Sequence, residues 1–134
     1  MSRRESREAA FKLLYQLEFR RDDPDVQRAL FLDINSIPDQ DLSYFNEIID
    51  GVIKQKETLD STYSPLLIGW KIDRIPRIDL ILLRIACFEI LFMPAIPTSV
   101  SISEAVILAK RYSTEESKSY INAILGKLIP GDKE

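Results

Sequence analysis

A chain of 134 residues with 46% apolar and 29% charged side chains has the composition of one ordinary globular domain, long enough to bury a core. It has no histidine and one cysteine, Cys87, which excludes an internal disulfide and disfavours a structural zinc site or histidine-based catalysis. The net charge of −3 argues against a broadly basic coat for nucleic acid, yet residues 1–21 carry six basic groups against three acidic ones, leaving −6 for the remainder.

The first helix is expected over residues 3–21. Ala10, Leu13, Leu14 and Leu17 recur at helical spacing and define its buried stripe. Arg4, Arg7, Phe11 and Tyr15 fall on a neighbouring flank. Two readings of that flank stand side by side: basic groups for RNA phosphates leading into aromatics for a partner, or a solvated first turn with rings at the core edge. Asp22-Asp23-Pro24 breaks the helix, and Pro24 suits the first turn of a short second helix over about 24–33. After a loop at 34–39, a third helix is expected from about 40 to 62. Its inward residues are Leu42, Phe45, Ile48, Ile49, Val52, Ile53 and Leu59, with Gly51 permitting close helix contact.

Pro65, Gly69 and Pro76 punctuate the middle of the chain, where a short helix over about 65–72 carries Trp70 near its end. This stretch reads as a seam between two halves, about 1–64 and 65–134. The run from Ile78 to Phe92, IDLILLRIACFEILF, is apolar around nearly the whole helical circumference, and such a helix belongs at the centre of a core. It is too short and too charged to cross a bilayer. Arg84 and Glu89 are expected to be partly buried charges with structural partners, Asp79 an exposed acid at the helix start, and Cys87 a small buried apolar residue. Ser101 and Glu104 form a capping box for the next helix, and residues 113–116 offer another for the last, whose buried stripe is Ile121, Ile124, Leu125 and Leu128. The whole reads as an all-α bundle of about seven helices forming a single domain over residues 1–134. With no signal-peptide pattern at the start, it is expected to be cytoplasmic, and neither a metal nor a cofactor is implied.

Four stretches, RRESREAAFKLLYQLEF at 3–19, LLRIACFEIL at 82–91, IPTSVSISEAVILAKRYS at 96–113 and SYINAILGKL at 119–128, resemble in order and spacing the NusB family of bacterial transcription antitermination factors. The resemblance implies a non-enzymatic protein of two three-helix subdomains. It implies pairing with the ribosomal protein NusE and recognition of the single-stranded boxA element of nascent, chiefly ribosomal, RNA. Assembly with other Nus factors on RNA polymerase would then support processive transcription.

By the same resemblance, Arg3, Arg4 and Arg7 contact RNA, as does the opening of the last helix at Glu116, Lys118 and Tyr120. Tyr120 either stacks on an unpaired base or is an edge-of-core ring. Glu116 is better suited to moderating RNA affinity than to binding phosphate. Tyr15 and Asp79 match NusE-facing positions, with Phe11 on the flank of Tyr15. The chain departs from the family pattern at Ser103, where Asn is frequent, and at Asn122-Ala123, where Asn-Gly is. Two rival readings keep the fold: an RNA-engaging domain of a ribosomal RNA methyltransferase, which a native chain ending at Glu134 argues against, and a helical protein-interaction adaptor that never touches RNA. The oligomeric state, a homodimer included, is left open.

Overall fold

The computed structural model describes residues 3–20, 22–67 and 74–128; among them are seven α-helices, one 3₁₀ turn and no strand. The chain divides into two units, Met1–Asp50 and Gly51–Glu134. The division falls inside the third helix, upstream of the seam that the Pro and Gly residues near 65 suggested. Proline and glycine mark where a chain bends, whereas a unit is bounded by which side chains pack together.

In the first unit, α1 (Arg3–Phe19) buries Ala10, Leu13 and Leu14 as their spacing predicts, together with Ser6, Arg7 and Phe11. α2 (Pro24–Ile34) opens on Asp23, whose carboxylate accepts from the Asp25 backbone N–H at 2.8 Å, with Pro24 in the first turn. Its buried aromatic, Phe31, stacks on Phe45 of α3 (Asp39–Lys54) with ring centroids 5.9 Å apart. Arg28 crosses between the same two helices, donating to Asp50 at 2.6 Å and to Asn46 at 3.2 Å. The buried face of α3 in this unit is Tyr44, Phe45, Ile48 and Ile49.

In the second unit, the helix expected to run unbroken from 40 to 62 is interrupted at Gln55. There φ is −100° and ψ is 14°, and α4 (Lys56–Tyr63) follows. Gln55 still donates to the Gly51 carbonyl and accepts from the Leu59 N–H, both at 2.8 Å, so its own backbone groups stay paired at the break. Val52 is buried, but Ile53, expected inward, is exposed. Of the short helix expected over 65–72, the described part is a single 3₁₀ turn, Ser64–Leu66; Trp70 lies outside the described residues.

α5 (Arg77–Phe92) buries every residue from Asp79 to Ile90, as its all-round apolar surface requires. Its internal charges each meet a partner on another element. Arg84 forks onto Asp60 of α4, Nε to Oδ1 at 2.9 Å and Nη2 to Oδ2 at 3.0 Å, and the Tyr63 hydroxyl donates to the same carboxylate at 2.5 Å. Burial, with Asp60 beside it, pushes the Tyr63 phenol well above its ordinary range. Glu89, fully buried, accepts from the Ser101 hydroxyl of α6 (Thr98–Tyr112) at 2.8 Å. Ser101 is therefore not the cap it was expected to be. α6 starts a turn earlier, behind Pro97, which leaves Ser101 inside the helix with its hydroxyl given to a buried carboxylate. α7 (Glu115–Gly126) is capped by Thr114, whose hydroxyl accepts from the Ser117 N–H at 3.0 Å, and buries Ile121, Ile124 and Leu125.

Gly51 is where α3 meets α5 inside this unit. A Cβ built there would overlap the Phe88 ring, which is buried and stacked on Phe92 with centroids 5.1 Å apart. Gly51→Ala should therefore destabilise the fold by about 1–3 kcal/mol in urea titrations, although alanine is the better helix former. Phe88→Leu should recover part of that loss when combined with it; equal losses in the single and double variants would contradict the contact. Cys87 supplies a pH test. Burial, and secondarily the Asp60 charge, push its thiol up to about 12 from an ordinary 9.0. The folded chain thus keeps a proton that the unfolded chain releases, so this contribution is complete below pH 9.0 and is lost as pH rises towards 12. Unfolding free energy should decline over that window, and less steeply in Cys87→Ala.

Candidate RNA and partner surfaces

The arginines at the start of α1 do not share one environment. Arg3 and Arg4 are exposed, and the Arg3 guanidinium lies 4.3 Å from the centroid of the Tyr44 ring. Arg7 is buried, 5.4 Å from the same ring. One tyrosine on α3 thus receives two arginines through its π face, a contact worth about 0.5–2 kcal/mol depending on its dehydration. Helical spacing placed Arg7 on an outward flank; the Tyr44 ring turns it inward. Tyr44 itself went unremarked in the sequence, where it reads only as another apolar position of an amphipathic helix.

Further along α1, Phe11, Tyr15 and Phe19 form a ladder of rings. Centroids are 6.2 Å apart for the first pair and 4.8 Å for the second, which meets edge to face. Phe11 is its buried end, whereas Tyr15 and Phe19 are 36% and 59% exposed. The sequence expectation of a partner-facing Phe11 therefore becomes a ring that backs Tyr15, and Phe19 is the surface aromatic that was overlooked.

In the second unit, Asp79 overturns the expectation of an exposed helix-start acid: it is 2% exposed. Both carboxylate oxygens are occupied. Ser113, at the α6–α7 junction, donates to Oδ1 at 2.7 Å, and Ser117 on α7 donates to Oδ2 at 2.6 Å. The two short hydrogen bonds offset the dehydration of this carboxyl group, and the serines thereby tie the start of α7 to α5. Above this lock lies a largely apolar cleft of about 420 Å³, with Asp79 and Ser117 in its lining and Ile75, Pro76, Tyr112 and Tyr120 as its larger walls.

Three expected contact residues on α7 sort themselves around the cleft. Tyr120 lines it, half-buried, and its phenol is shifted upward by burial and by the charge of Asp79. Glu116 is exposed at its rim, and Lys118 pairs with Glu115 at 3.1 Å. The structure thus brings Asp79, Glu116 and Tyr120 to one cleft in the second unit, and Arg3 and Arg7 to one ring in the first. No group of three or more metal-binding side chains occurs among the described residues, and no described helix is long and apolar enough to cross a membrane. Asp79→Ala should cost about 1–3 kcal/mol of stability and speed amide exchange in the first turn of α7. Unchanged exchange there would mean that the serines do not hold the junction.

The NusB family model matches residues 4–130. The transcription antitermination protein NusB of Ruminiclostridium cellulolyticum is 46% identical over 132 residues, covering 98% of this chain and 91% of that protein. The corresponding protein of Listeria innocua serovar 6a is 35% identical over 133 residues, covering 99% and 100%. Among solved structures, T. maritima NusB has a TM-score of 0.90 at 34% identity and covers 99% of this chain and 96% of that one. A chain in the crystal structure of antitermination factors NusB and NusE in complex with dsRNA shares the fold at a TM-score of 0.84 and 23% identity, over 94% of each chain. With sequence and helix arrangement matching over nearly the whole length, the chain belongs to the NusB family.

Proposed function

We infer that this chain is a transcription antitermination factor that acts by binding rather than catalysis. It pairs with ribosomal protein NusE, and the heterodimer engages the boxA element of nascent, chiefly ribosomal, RNA in the cytoplasm, together with other Nus factors and RNA polymerase. The observation that carries this reading is the near full-length relationship to proteins named for transcription antitermination. The fold shared with a chain of a NusB–NusE–RNA assembly supports the choice of partners.

Within the chain, exposed Arg3 and Arg4 offer phosphate contacts, while buried Arg7 sets the tip of α1 against Tyr44. Tyr120 offers a stacking face at the opening of α7, with Lys118 beside it and Glu116 limiting non-specific attraction. Tyr15, backed by Phe11, belongs to the NusE side. Asp79 acts through the junction it holds. Few arginines mean few displaced counterions, so NusE completes the RNA site.

Binding of labelled boxA RNA, with and without cognate NusE and across a salt series, tests this. NusE should tighten RNA binding markedly. Arg4→Ala should weaken it and lower the salt slope by about one unit. Arg7→Ala, which empties a buried position, should lower the melting temperature as well. NusE binding with no gain for RNA would leave a protein adaptor, and indifference to both partners would separate the fold from the function.

A further inference from the structure

One exposed surface of the first unit is not accounted for by either contact above. Val26, Leu30 and Ile34 of α2 recur every four residues and are 54%, 56% and 83% exposed. Helix propensity does not call for three apolar side chains in water on an 11-residue helix. α2 follows α1 after four residues and contacts it, and so short a connection between two touching helices favours an antiparallel pair. Gln16 of α1 donates to Gln27 of α2 at 3.0 Å and marks the line where the two helices meet.

Helical rotation then fixes the sides. Tyr15 and Phe19 are turned from Gln16 by the same angles, in the same sense, as Val26 and Leu30 are from Gln27, about 100° and 60°. In antiparallel helices that face each other, equal turns of one sense lead to the same side of the seam. In such a pair the ring ladder of α1 and the apolar stripe of α2 fall on one side. Its α2 border is acidic: Asp22, Asp23 and Asp33 are exposed, and Arg28 is turned away to Asp50, Asn46 and Asp25.

We propose that the partner face continues from Tyr15 across Phe19 onto Val26, Leu30 and Ile34, and that it receives a basic protein presenting an apolar ridge. This rests on the NusE reading, since proteins that reside on ribosomal RNA carry positive charge. An acidic border repels RNA, and it repels the same border of a second copy; a cationic protein surface is the complementary occupant. The apolar centre supplies affinity and the border supplies orientation.

Titration of the full chain with cognate NusE tests the extension, with Tyr15→Ala, Leu30→Glu/Ile34→Glu and Asp33→Lys compared with the parent and with Val100→Glu, an exposed apolar site in the other unit. Each of the first three should weaken NusE binding, the double variant by about tenfold or more. The melting temperatures of the α2 variants should match the parent, Tyr15→Ala losing somewhat through its contacts with Phe11 and Phe19, and binding of boxA RNA without NusE should be unchanged in all three. If Tyr15→Ala weakens NusE binding and the α2 variants do not, the extension is wrong and the NusE reading survives. If the parent binds no NusE, or if Tyr15→Ala is also indifferent, the underlying partner reading falls with it. A parent dimer in sedimentation that Leu30→Glu/Ile34→Glu dissolves with NusE binding intact would make this a self-association surface and overturn the proposal, as would loss of RNA binding by the α2 variants alone.

Discussion

Charges placed inside an apolar helix must be met there, and most of the second unit follows from how α5 meets that demand. Leaving a carboxylate or guanidinium dehydrated and unpaired costs several kcal/mol. Arg84 therefore draws Asp60 from α4, Glu89 draws Ser101 from α6, and Asp79 draws Ser113 and Ser117 from the junction and α7. Apolar burial alone is non-directional and would tolerate several rotations of the neighbouring helices about α5. The polar partners do not drive the collapse; they select one rotation of it for α4, α6 and α7, while α3 is set against α5 by the close Gly51–Phe88 approach.

The same partners explain which parts of the molecule could be read from the chain. Helix positions, the central role of residues 78–92 and most core residues follow from apolar spacing, which is a local property. The family likeness was legible for a related reason, since four stretches in register preserve that spacing together with their charges. What a polar side chain bonds to is not local. The partners of Glu89, Arg84 and Asp79 lie 12, 24, 34 and 38 residues away. Asp79 looked exposed because an acid at a helix start is usually solvated, and Arg7 looked exposed because nothing nearby in sequence announced Tyr44. The capping box at Ser101 failed in an instructive way: a short-range pattern was present, but the same hydroxyl is given to a long-range partner.

α1 shows how one element can carry two kinds of surface without conflict. Its amino end carries the arginines, and its carboxyl end carries the ring ladder as it passes from core to surface. From Arg4 to Phe19 the helix rises about 22 Å, so an anionic ligand at one end and a protein at the other need not exclude each other. Polarity is segregated along the axis as well as around it. A hydrophobic-moment view, which sees only rotation about the axis, passes over this arrangement.

Cys87, the lone thiol, is fully buried in the middle of α5. Only the thiolate attacks an alkylating reagent, and here the reagent must wait for the helix to come away from its neighbours. Its labelling rate is therefore an intrinsic clock for opening of the second unit, needing no introduced probe. Any ligand that binds the closed form slows that clock in proportion to its occupancy. A residue buried in the core thus becomes the chain's own reporter of whether binding has occurred.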